Sequence, residues 1–200
     1  MTGINFQGGT NNYDADVLWN NLIAYSIELS DIPKPSTNAL ILGSVVTWGD
    51  SSMGGDSSSV ASELSSGVST IYSTERAFAA LKDDGSVVTW GHSSLGGDSS
   101  SVASELSSGV STIYSTERAF AALKEDGSVV TWGYSVGGGD SSSVASELSS
   151  GVDTIYSSGY AFAALKDDGS VVTWGDSSMG GDSSSVASEL SSGVSTIYST

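Results

Sequence analysis

Trp48, Trp90, Trp132 and Trp174 recur at intervals of 42 residues, each inside the same heptapeptide, GSVVTWG. A period of that length marks one supersecondary unit that cannot bury its apolar face alone, so the chain must fold by stacking copies on one another. Counted from Gly43, residues 43–84 and 85–126 agree at 39 of 42 positions, 127–168 departs at a few more, and 169–200 is identical to 43–74. The fourth copy therefore lacks the ERAFAALKDD segment of the first.

The repeat also explains an unusual composition of 46 Ser and 25 Gly among 200 residues, with a formal net charge of −17. A Ser- and Gly-heavy chain resembles a linker, yet 38% of the residues are apolar and five are Trp, so a core is being built. The strong negative field repels phosphate backbones and anionic lipid surfaces, which excludes nucleic acid as a partner. No apolar run is long enough to insert into a membrane. The opening MTGINFQGGTNNYDAD has neither the basic region nor the apolar core of a signal peptide, so if the protein leaves the cell, another route or a larger carrier is expected. With no Cys, disulfides, thiolate chemistry and Cys-based zinc sites are excluded.

Within a unit the local signals are strands and turns. Ala77–Lys82 and Val87–Trp90 are apolar runs joined through Asp84-Gly85, a strong hairpin signal because Gly accepts positive φ and Asp tolerates it. Val68–Tyr72 is a third run rich in β-branched and aromatic residues. The stretch 50–66 is mostly Ser and Gly with Val60 and Leu64 as apolar points, and is expected to be a loop with either a short fourth strand or one helical turn. The expected fold is all-β, a repeat protein of propeller-like blades with three to four antiparallel strands each, occupying residues 39–200 in units 43–84, 85–126, 127–168 and the shortened 169–200. Residues 1–38 form an N-terminal arm, expected either to attach or oligomerise the protein or to cap the apolar end of the repeats, with a stiff linker at Ile32-Pro33-Lys34-Pro35-Ser36-Thr37. Leu18, Leu22, Tyr25 and Leu29 trace a helical stripe after Asp14, while 22–29 also alternates like a strand, so helix and strand both stand.

The pattern V-x-x-I then A-x-x-A-L-x-x-D-G-x-V-x-x-W-G, here Val68 to Ile71, Ala77 to Leu81, Asp84-Gly85, Val87 and Trp90-Gly91, resembles the repeat of the regulator of chromosome condensation family. The resemblance implies a β-propeller, usually of seven blades. These units are shorter, their Gly-rich segment is reduced to Gly54-Gly55-Asp56, and Phe78, Phe120 and Phe162 stand where the family often has His. The family's nucleotide-exchange activity belongs to loops with no counterpart here and is not carried over. Four units do not make seven blades. A strand at Ala39–Leu42 could complete the last unit and close a four-bladed ring, a second or third chain could complete it, or the units belong to a longer array.

Copies differ almost entirely in two loops. One set comprises Asp50 and Met53, His92 and Leu95, Tyr134 and Val136 with Gly137, and Asp176 and Met179. The other comprises Glu75-Arg76, Glu117-Arg118 and Gly159-Tyr160. Loops on a rigid scaffold usually carry recognition, and His, Tyr, Met and Arg are contact-forming types, so both sets are expected to form one exposed face that meets a glycan or protein partner. No enzyme is expected, since the Ser residues have no paired base and His92 is the single imidazole. No cofactor is expected either. Calcium is a lesser reading of Asp50, Asp56, Asp83 and Asp84, which are taken as solvated turn carboxylates. The leading expectation is a structural or display module of a cell surface, virion or extracellular assembly, self-associating through the N-terminal arm. The alternative is a lectin-like binding module that uses the variable loops.

Overall fold

The computed structural model describes the backbone of residues 23–26 and residues 43–199. The described residues fold as an all-β repeat. Its strands are β1 (Ile23–Ser26), β2 (Ser44–Thr47), β3 (Val68–Ser73), β4 (Ala77–Lys82), β5 (Val87–Gly91), β6 (Val110–Ser115), β7 (Ala119–Lys124), β8 (Val129–Gly133), β9 (Val152–Ser157), β10 (Ala161–Lys166) and β11 (Val171–Gly175). They form three antiparallel three-stranded meanders, β3-β4-β5, β6-β7-β8 and β9-β10-β11, and a two-stranded sheet, β1-β2. Each meander straddles the seam between two sequence copies: β4 ends the copy 43–84 and β5 opens the copy 85–126. The hairpins form at Asp-Gly or its equivalent, with Gly85 at φ +75 and the loop closed by Lys82 N–H to Ser86 O at 2.9 Å.

The segment between Trp-Gly and the next strand contains helical turns rather than a fourth strand. Ser51–Met53 and Ser58–Val60 are 3-10 turns, the first ended by Gly54 in the left-handed region. Leu64 then anchors the segment: it is fully buried, and its carbonyl accepts from Val45 N–H at 3.0 Å. Serine supplies local hydrogen bonds here, as where Ser58 N–H donates to Asp56 Oδ1 at 2.9 Å and Ser65 Oγ donates to Ser62 O at 2.7 Å.

Of the two readings for 22–29, the strand holds over Ile23–Ser26, which pairs with β2 as Ile23↔Thr47 and Ala24↔Val46. The middle-strand place of the first sheet is thus filled by the arm. The strand proposed at Ala39–Leu42 and the stripe position Leu18 lie outside the described residues.

The sheets stack face to face because the middle strand is apolar on both sides. Ala119, Ala121 and Leu123 of β7 face the following sheet, while Phe120 and Ala122 face the preceding one. Small side chains on one face leave room for large ones from the next. Phe120 stacks on Trp132 with ring centroids 5.1 Å apart, and Trp132 Nε1–H donates to the carbonyl of Gly96 in the preceding loop at 3.0 Å. Phe78 with Trp90, and Phe162 with Trp174, repeat the pair at 5.3 and 5.2 Å, and both indoles reach back to Gly54 and Gly138 in the same way.

Candidate functional site

The two variable loop sets emerge from the same end of every sheet, because β4 pairs with β5 through Ala77↔Gly91 and so brings the residues just outside that pair together. His92 N–H donates to Arg76 O at 2.8 Å, Tyr134 N–H to Arg118 O at 2.9 Å and Asp176 N–H to Tyr160 O at 2.9 Å. Side chains add a second stitch between the loops. Thr74 Oγ1 donates to Leu95 O at 3.0 Å, and Thr116 Oγ1 to Gly137 O at 2.9 Å. Along the stack, Glu75 N–H donates to Glu117 O at 2.7 Å and Glu117 N–H to Gly159 O at 2.9 Å. The variable positions therefore line one continuous rim.

That rim holds both arginines of the chain, Arg76 and Arg118. The Glu75 carboxylate lies between them, 3.5 Å from Arg76 Nε and 3.6 Å from Arg118 Nε. At those separations the Nε atoms are ion-paired without a hydrogen bond, and neither has another hydrogen-bond partner. The Arg118 guanidinium also sits 5.3 Å from the centre of the Tyr160 ring. A hydrogen bond to Glu117, with some desolvation, raises the Tyr160 hydroxyl above its ordinary titration range. The lysines at the opposite end behave differently: Lys82, Lys124 and Lys166 each donate to a main-chain carbonyl, those of Glu63, Glu105 and Glu147.

Position 50 and its equivalents divide into two kinds. Asp50 and Asp176 cap the turns that follow them by accepting from Ser52 and Ser178 N–H at 2.8 Å. His92 and Tyr134 make no such cap. Tyr134 is 38% exposed and Val136 and Met179 are more exposed still, whereas Met53 and Leu95 are half-buried. The loop aspartates are engaged locally: hydrogen bonds from Ser58, and from Ser86 for Asp84, hold these carboxyls below their ordinary range. Among the described residues no group of three or more His, Asp or Glu is placed to hold a metal. A separate groove of about 470 Å³ at the hairpin end is walled by Glu125, Asp126, Asp153 and Asp167.

Two features of the site were not anticipated from the sequence. Thr74, Thr116 and Ser158, which stitch the loops, differ so little between copies that nothing marks them. Gly54, Gly96 and Gly138 proved to be contact surfaces as well as turn residues; their constancy in every copy was the available signal. No helix among the described residues is long and apolar enough to cross a membrane. No protein-family model matches the sequence, and no curated protein matches it.

Proposed function

We propose that this protein is a non-enzymatic display module, in which propeller-like repeats of the regulator of chromosome condensation type hold a variable rim out from a cell surface, virion or extracellular assembly. The observation that carries the proposal is the convergence of copy-to-copy differences on one rim, through the pairs 76/92, 118/134 and 160/176. Scaffold positions are constant between copies while rim positions change, the distribution expected where a rigid body presents exchangeable contacts. The arginines, the tyrosines and the exposed Val136 and Met179 are residue types that make contacts with proteins or sugars.

The test replaces His92, Tyr134 and Tyr160 together with Ser. If the rim is display surface, the variant keeps its thermal midpoint within about 2–4 °C of the parent, a shift corresponding to no more than roughly 1 kcal/mol. A variant that fails to fold overturns the proposal. Glycan-array retention by the parent that is lost in the variant replaces the display reading with the lectin-like one, which the exposed Tyr134 and the Arg118–Tyr160 pair favour.

A further inference from the structure

Each junction between sheets is built as a plug in a socket, with closely repeating dimensions. The plug is the Phe–Trp pair of the later sheet, and the socket is the Gly-Gly loop of the earlier one, backed by Ala77 and Ala79 or by Ala119 and Ala121 in the two later junctions. The indole nitrogen reaches the loop carbonyl at 3.0, 3.0 and 3.1 Å in the three junctions. A Cβ placed on Gly54, Gly96 or Gly138 would come within 2.5 to 2.6 Å of the incoming Phe ring. The fourth loop has the same sequence and the same left-handed glycine, Gly180 at φ +101, yet nothing lies within 4 Å of a Cβ built there. Beside it runs a groove of about 590 Å³ lined by Ala161, Ala163, Met179, Gly180, Ile197 and Tyr198. Tyr198 is 90% exposed.

The other end of the stack shows the matching defect. Trp48 is 44% exposed and Val46 56% exposed, whereas Trp90, Trp132 and Trp174 are 2–3% exposed. Among the described residues β1 pairs with β2 alone. Ile23 pairs with Thr47 as Ala79 pairs with Thr89, so β1 occupies the register of the middle strand β4. In the complete sheet the next partner of Ala79 is Tyr72. The residues equivalent to Val68–Ser73 at the far end are Val194–Ser199, placed by the same Val194 N–H to Gly169 O bond at 3.0 Å but without a partner strand among the described residues.

We infer that a second copy of this chain occupies the Gly180 groove, seating Trp48 in it and completing a three-stranded sheet from β1 and β2 of one copy and Val194–Ser199 of the other. The register follows from the complete sheets: Tyr198 opposite Ile23, Ile197 opposite Ala24 and Thr196 opposite Tyr25 of the other copy. Among the described residues the two defects are open in the same chain: Trp48 is exposed, and nothing fills the space beside Gly180. The contact is head-to-tail, between unlike surfaces, and therefore builds rings or filaments. It goes beyond the display proposal, and of the rim side chains that proposal tests, Tyr160 also lines the groove while His92 and Tyr134 do not.

Two variants of the full chain decide it. Gly180→Asn places a side chain in the socket, where the free chain has space and Asn tolerates positive φ, so the fold is retained. Trp48→Ser removes an already exposed plug. Sedimentation across a concentration series is expected to show parent oligomers, and each variant alone to associate at least about tenfold more weakly, as loss of an interface Trp does. Mixed, the two variants are expected to form a discrete dimer, because one keeps its plug and the other its socket. A parent that stays monomeric throughout the series, or a mixture of folded variants that gives no dimer, overturns the inference. A rim variant changed only at His92 and Tyr134, which do not line the groove, is expected to associate like the parent, which separates this result from the fate of the display proposal.

Discussion

At the residue scale, glycine is the contact surface of this fold. Gly96 sits at φ +105 and a Cβ there would meet the Phe120 ring at 2.5 Å, so Gly96→Ala combines backbone strain with overpacking. We expect a loss of about 2–4 kcal/mol, read as a lower urea midpoint with an unchanged slope. The double glycine was visible in the sequence, but its partner was not: Phe120 lies 24 positions away in the next sheet, and a local reading assigns the glycines to the turn alone. The tryptophans were legible as core anchors because each follows Val-Val-Thr in a strand. Nothing in the sequence showed that the indole N–H would be satisfied by a carbonyl 36 residues earlier.

At the element scale, the Asp-x-Ser turns hold the meanders shut. Asp84, Asp126 and Asp168 each accept from the main-chain N–H and the hydroxyl of the Ser two residues on, which lowers their carboxyl pKa below the ordinary 3.8. A lowered folded-state pKa gives stability that is present above 3.8 and is lost as pH falls through the folded value. Self-repulsion acts in the opposite sense, since the charge of −17 at pH 7 vanishes near pH 4.1. At low salt we therefore expect the thermal midpoint to rise as pH is lowered from 7 toward 4.1 and to fall below 3.8. Added salt should flatten the first limb of that curve and leave the second. A midpoint that declines steadily from pH 7 would show that the repulsion is negligible. The hairpins were legible because their turns are local. The 50–66 segment was not resolved between strand and helical turn, since Ser and Gly carry no periodicity and Leu64 is fixed by a carbonyl bond back to the preceding strand, β2.

At the scale of the whole molecule, each sheet is held by its neighbours, and among the described residues the outermost surfaces are covered on one side only. Stability in such a stack is a sum of unit and junction contributions, so the ends should open first. We expect hydrogen exchange to be slowest in β6, β7 and β8, faster in β2, and fastest in Val194–Ser199; uniform protection along the chain would contradict this. The sequence alone determined three strands of each unit, their hairpin turns and the copy number, while leaving a fourth strand open, because strand alternation and Asp-Gly hairpins are encoded over a few residues and 42-residue identity repeats whatever they encode. Only the tertiary structure decided that the two variable loops form one rim, that the arm supplies a strand at Ile23–Ser26, and that each glycine loop is a socket for the following sheet. Those relations join residues 16 to 36 positions apart, as in 76/92 and 54/90, through main-chain carbonyls that every residue type carries. Their identity is set by which strands pair and which faces stack, and side-chain pattern does not record it.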